Sequence, residues 1–120
     1  MKLDESINTE GLSENFKTLL SEPYYNIGKY ILDIKKKLLV PDNESVKLSR
    51  NELFLLLYFA ANPNITLDRS SIMHEIWSNK PINSWRSLDV YLCKMRKLLK
   101  KDSNVVIINI HGKGFKMIID

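Results

Sequence analysis

The chain has 120 residues, 44 % apolar and 27 % charged, a balance that fits one globular domain and excludes a disordered or low-complexity chain. Net charge is +4 but unevenly spread: residues 1–22 carry −3 and residues 23–120 carry +7, so the body of the chain favours a polyanionic partner. One cysteine, Cys93, excludes an intramolecular disulfide; no apolar run reaches the roughly 18 residues of a membrane span, and MKLDESINTE has acidic residues where a signal peptide needs apolar ones, so the expected compartment is the cytoplasm, with no membrane partner.

Residues 1–22 read as an acidic leader or linker, and residues 23–120 as the folded domain. Within the leader, Ser13-Glu14 can open a short helix through Phe16, Leu19 and Leu20 that Pro23 would end; the same stretch also reads as a disordered linker. From Tyr24 to Leu48 the pattern turns to strands. Tyr25, Ile27, Tyr30, Leu32 and Ile34 alternate in part, Leu38–Val40 is a second run, and Pro41-Asp42-Asn43-Glu44 is turn chemistry that sends Val46 and Leu48 back. A small antiparallel sheet is expected, with Lys35-Lys36-Lys37 as a solubilising turn.

Ser49-Arg50-Asn51-Glu52 has the form of a capping box, Ser at the N-cap and Glu three residues on. The helix it opens, with LFLLLYFAA, is apolar nearly all round and is therefore the central buried helix, stopped by Asn62-Pro63. Ile65–Leu67 is a short strand. Asp68 caps a second helix, Arg69–Trp77, with Ile72, Ile76 and Trp77 inward, and residues 78–84 (SNKPINS) form a loop.

The stretch from Arg86 to Lys101 is a helix with two unlike faces. Leu88, Leu92, Met95 and Leu99 form a core-facing stripe, while Arg86, Val90, Lys94, Lys97 and Lys101 lie opposite. Six of its sixteen residues are basic and one, Asp89, is acidic. Val90 and Tyr91 stand among the charges, where a purely solvating face would carry Glu. A helix held by one face and cationic on the other has the form that enters a DNA major groove, roughly 12 Å wide. Val105–Asp120 then forms a hairpin: Val105, Ile107 and Ile110 lead up, His111-Gly112-Lys113-Gly114 is the tip, and Phe115, Met117 and Ile119 return. The two glycines supply the positive φ a tight turn needs.

No metal-ligand spacing exists: His74 and His111 are far apart, and Cys93 is a lone small residue beside Lys94. No nucleophile–base pair and no phosphate-loop signature appears, Gly112-Lys113-Gly114 being too short and flanked by strands. The reading is of a chain that is not an enzyme and carries no cofactor.

Four segments in order, VKLSRNELFLLLYFAANPN, LDRSSIMHEIW, RSLDVYLCKMRKLLK and INIHGKGFKMI, closely resemble the winged-helix DNA-binding domain of OmpR/PhoB-type response regulators, over about Tyr25 to Ile119. The resemblance implies an α+β winged helix-turn-helix: an N-terminal antiparallel sheet, three helices and a C-terminal β-hairpin wing. It implies that the third helix is the recognition helix. Arg86 and Ser87 match phosphate-holding positions, Val90, Tyr91 and Lys94 match positions facing base edges, and Arg96 and Lys97 match basic positions near the DNA backbone. In the wing, His111 stands where the family commonly has an Arg that enters the minor groove, with Lys113 between the glycines. Many members also have two basic residues where this chain has Cys93-Lys94.

The function implied is sequence-specific double-stranded DNA binding in transcription regulation within a two-component system, in tandem on direct repeats. The 78–84 loop corresponds to a segment that contacts RNA polymerase in some members. Members with a receiver domain carry it N-terminally; here only the acidic leader precedes the domain, so an excised effector domain and a stand-alone regulator both stay open. The rival reading is a winged-helix protein-interaction module that does not bind DNA.

Overall fold

The computed structural model describes residues 14–40, 45–77 and 85–120. Among the described residues ten elements follow one another: α1 (Glu14–Leu20), β1 (Tyr24–Ile27), β2 (Tyr30–Asp33), β3 (Leu38–Val40), β4 (Val46–Lys47), α2 (Arg50–Ala61), α3 (Arg69–Trp77), α4 (Trp85–Leu98), β5 (Val105–Ile110) and β6 (Gly114–Ile119). The expected architecture is present: an N-terminal antiparallel sheet, helices packed on it, and a C-terminal hairpin. The first four strands form the sheet in the order β1-β2-β3-β4, and β5 and β6 form the hairpin.

The run from Tyr25 to Ile34 is not one strand. It folds at Gly28-Lys29 into a hairpin in which Ile27 faces Tyr30 and Tyr25 faces Leu32. Gly28 takes φ 56° at the first of the two loop positions, where a II′ turn calls for glycine. The inward residues switch from odd positions (Tyr25, Ile27) to even ones (Tyr30, Leu32, Ile34) across the two-residue loop, and that change of parity is the mark of the break in the sequence. Lys35–Lys37 does form the next turn, closed by Lys36 N–H donating to Asp33 Oδ1 at 3.0 Å, with Lys37 at φ 57°. The expected turn at residues 41–44 lies outside the described residues.

The capping box of α2 forms as its sequence demands. Glu52 N–H donates to Ser49 Oγ at 3.2 Å, and Ser49 N–H donates to Glu52 Oε1 at 2.7 Å. The helix is central: Leu53 through Leu57, Phe59 and Ala60 are all buried. α1 covers one side of it, with Phe16 (1 % exposed) edge-on to Phe54 at 5.3 Å. Phe16 and Leu20, N-terminal to the division drawn before residue 23, thus belong to the same core. Asp68 caps α3, accepting from Ser71 N–H at 2.7 Å. The expected strand at Ile65–Leu67 reduces to one bridge, Leu67 with Phe115, because Asn64 at φ 62° turns the chain just before it.

One buried charge joins the two ends of the domain. Asp102 is 3 % exposed and is the buried charged side chain among the described residues. Its Oδ2 accepts from Lys29 N–H at 2.9 Å, its Oδ1 accepts from Asn104 N–H at 3.0 Å, and its own N–H donates to Tyr30 Oη at 3.1 Å. A side chain at Gly28 would run into this carboxylate and into Val105. The β1–β2 hairpin is thus fastened to the turn between α4 and β5.

The hydrogen bonds from Lys29 and then Asn104 hold the Asp102 carboxyl below its ordinary value of 3.8. A carboxyl whose folded pKa is depressed adds stability above its unfolded pKa, and that stability is lost as pH falls through the folded value. Asp102→Asn should therefore lower the thermal midpoint near pH 7, and the gap to wild type should shrink as pH drops below about 4. Melting curves of both proteins from pH 7 to pH 2.5 check this; a gap that stays constant with pH contradicts it.

Candidate nucleic-acid interface

α4 presents the two faces its sequence implies. Leu88, Leu92, Met95 and Leu99 are buried, and each contributes roughly 1.5–3 kcal/mol of burial that pins the helix. On the outside, Val90 is 55 % exposed, and Cys93, Lys94 and Lys97 are exposed. A β-branched residue at such a position gains nothing from burial and slightly lowers helix propensity. The side chains of Trp77, Trp85, Arg86 and Ser87 lie outside the described residues, as does the 78–84 loop.

Two of the residues expected at the interface also work inside the domain. Tyr91 is half-buried, and its hydroxyl accepts from Asn51 Nδ2 of α2 at 3.1 Å. The Lys94 ammonium lies 5.7 Å from the centroid of the Tyr91 ring, within the range of a cation–π contact. Arg96 donates from Nε to the Ile107 carbonyl of β5 at 3.0 Å, so its guanidinium leans along the root of the wing rather than straight out from α4. Val90, Lys94 and Lys97 make up the outward row.

The wing is a tight hairpin. Lys113 N–H donates to the Ile110 carbonyl at 2.9 Å, and both tip glycines take positive φ. His111 and Lys113 are exposed at the tip. Gly114 is needed for a second reason: its φ is 149°, and a Cβ there would collide with the backbone of Leu67 and Asp68. That close approach is what lets Leu67 and Phe115 exchange backbone hydrogen bonds of 2.8 and 2.9 Å and moors the wing to the entry of α3.

Arg69, which the sequence did not single out, joins the parts. It sits at the start of α3, pairs through Nη2 with Asp89 of α4 at 3.0 Å, and stacks 4.8 Å from the centroid of Phe115 in β6. Both partners of the ion pair are well exposed, so it contributes at most about 1 kcal/mol and serves mainly to orient. Between α3 and the wing lies a cleft of about 700 Å³, lined by Asp68, Arg69, Asn109, His111, Lys113 and Phe115 among others. A basic residue in the first turn of a helix opposes the helix dipole, and that local misfit is the signal that could have pointed to Arg69.

Residues 43–117 match the family described as "Transcriptional regulatory protein, C terminal". The chain belongs to this family, the OmpR/PhoB-type effector domains. The domain is 42 % identical over 94 residues to the transcriptional regulatory protein RprY of Bacteroides fragilis, covering 78 % of this chain and 40 % of RprY. It thus spans less than half the length of the curated relatives it matches. The fold of the effector domain is that of the DNA-binding domain of Escherichia coli CadC, with TM-score 0.74, 20 % identity, and 82 % of this chain and 94 % of that one covered. It is also that of the Klebsiella pneumoniae RstA DNA-binding domain, solved in complex with the RstA box, with TM-score 0.63, 20 % identity, and 81 % and 98 % covered. The family is one of transcription regulators, and among the described residues no helix is long and apolar enough to cross a membrane.

The two tip glycines of the effector domain differ in a testable way. Gly112→Ala meets open space and bears only the conformational penalty of positive φ, roughly 1 kcal/mol. Gly114→Ala adds a backbone collision and should lose clearly more. Urea unfolding of the two variants checks the order; equal losses would show that the wing root yields easily.

Proposed function

We propose that the chain binds double-stranded DNA sequence-specifically as the effector domain of a transcriptional regulator, with α4 in the major groove and the wing in the minor groove. The observation that carries the reading is the outward row Val90, Lys94 and Lys97 on a helix whose opposite face is fully buried. Lys94 and Val90 are assigned to base edges, with Tyr91 beside them. Lys97, Arg96, Arg86 and Ser87 are assigned to the DNA backbone, and His111 and Lys113 to the minor groove. The RstA DNA-binding domain shares this fold and was solved bound to its DNA box, which supports DNA as the partner of this chain too.

One module of this size covers only about 600–1,000 Å² on DNA, too little to single out one genomic site. Tandem binding to direct repeats in the cytoplasm completes the proposal, with the 78–84 loop available to RNA polymerase.

Affinity for a mixed duplex should fall with salt at a log–log slope of about −0.9 per phosphate neutralised. A flat response between about 50 and 200 mM salt, by fluorescence anisotropy, overturns the DNA reading. Lys94→Ala should cost roughly 1–3 kcal/mol on the preferred site and relax preference at one or two positions, while Lys97→Ala should weaken all sequences alike. His111→Arg should tighten binding, most of all on sites with an A·T-rich flank, where the narrow minor groove has the strongest negative potential. Equal affinities for wild type and His111→Arg on that flank would remove the wing from the interface.

A further inference from the structure

Arg50 and Asn51 break a local rule. They occupy the first turn of α2, where the positive end of the helix dipole disfavours a cation. The Arg50 guanidinium is also half-buried, and burial pulls its pKa below the usual arginine range. Among the described residues its Nε and Nη2 have no hydrogen-bond partner. Two contacts within α2 and one across to α3 hold it. The guanidinium lies 4.2 Å over the centroid of Phe54, and Nη1 donates both to the Ile76 carbonyl at 3.1 Å and to Asn51 Oδ1 at 2.9 Å. Asn51 Nδ2 in turn donates to Tyr91 Oη at 3.1 Å.

Ile76 lies in the last turn of α3, where carbonyls lack partners within the helix and the dipole favours a cation. A cation that is misplaced on its own helix is therefore well placed on its neighbour. A continuous chain of hydrogen bonds runs from the end of α3, through the start of α2, to the middle of α4. Ile76 and Tyr91 flank the connection between α3 and α4, so this chain spans the helix-turn-helix from behind without passing through the turn.

We infer that Arg50 and Asn51 are positioning residues for DNA reading: they set the angle of α4 against α3 and, through Tyr91, the place of Lys94. The inference rests on the assignment of α4 to the major groove. Its leverage is geometric. A helix of 14 residues is about 21 Å long, so a tilt of about 5° displaces one end against the other by about 2 Å. Hydrogen bonds to base edges tolerate about 0.5 Å. Contacts to phosphates by long, mobile lysines are far more forgiving. Loosening the chain should thus cost discrimination before it costs general affinity.

The test begins with a duplex selected by the wild-type chain from a random pool. Wild type, Asn51→Leu, Tyr91→Phe, the double variant and Asn51→Asp are then compared on the selected and on a random duplex. Asn51→Leu should lower the ratio of the two affinities by about three- to ten-fold, the size of one net hydrogen bond, with random-duplex affinity unchanged. Tyr91→Phe keeps the ring and its packing and should lower the ratio by a similar factor. The double variant should be no worse than the worse single, because the bond lost in Tyr91→Phe is already lost in Asn51→Leu. Asn51→Asp should keep the wild-type ratio, since the Tyr91 hydroxyl can donate to a carboxylate while Arg50 bonds its other oxygen. An unchanged ratio in Asn51→Leu and Tyr91→Phe, an equal loss on both duplexes, or losses that multiply in the double variant each overturn the inference. A wild type that selects no sequence from the pool overturns the assignment of α4 itself.

Discussion

The domain is organised around a helix that has no polar face. Seven of the twelve residues of α2 are buried, including five in succession from Leu53 to Leu57. Five consecutive buried residues sweep past a full helical turn, so the helix must be covered from every side. α1, the N-terminal sheet, α3, α4 and the hairpin are its cover, and each meets the need with its own apolar stripe: Phe16 and Leu20, Ile27 and Leu32, Ile72 and Ile76, Leu88 through Leu99, Phe115 and Met117. The outward face of α4 exists because its inward face is required by α2. The apolar and cationic residues of α4 thus lie on opposite sides of one helix, so a substitution in the outward row leaves the core closed.

A second constraint is polar. α2 needs its N-terminal donors satisfied, and the Ser49–Glu52 box does so locally. Arg50 and Asn51 are therefore not needed as caps, and their side chains, bonded to each other, reach across to Ile76 and Tyr91. Asp102 plays the corresponding part at the other end of the molecule, where its carboxylate bonds backbone N–H groups of the β1–β2 loop and of the turn before β5. Both devices use short hydrogen bonds between segments far apart in sequence. Both act on how elements are oriented more than on whether they form.

What could be read from the sequence follows from that distinction. The capping box, the Asp68 cap, the stripe on α4 and the glycines of the wing are local signals: each is decided within four to eleven residues, and each was legible. The family resemblance added the role of each outward residue on DNA and the reading of the hairpin as a wing. What was not legible depended on partners distant in the chain. The Gly28-Lys29 turn showed only as a switch of the inward residues from odd to even positions, over a run too short for the change of parity to stand out. Nothing in the sequence around Asp102 marks it for burial, because two of its partners are 72 and 73 residues away. Arg50 stood in the sequence as part of the capping box, Arg69 as the first residue of a helix and Arg96 as a position near the DNA backbone by resemblance, yet each is committed to a specific neighbour across the fold. An arginine in the first turn of a helix was the available clue for two of these three.

The mooring of the wing has a consequence for recognition. Gly114 presses against the backbone that leads into α3, and Leu67 and Phe115 are bonded to each other in both directions. Arg69 then ties that junction to α4. The distance from α4 to the wing tip is therefore set through the root of the wing, like the jaws of a caliper. A duplex gripped by both would have to make up any misfit itself, by bending or by changing the width of its minor groove. The stiffness of base steps that no side chain touches would then enter the choice of site.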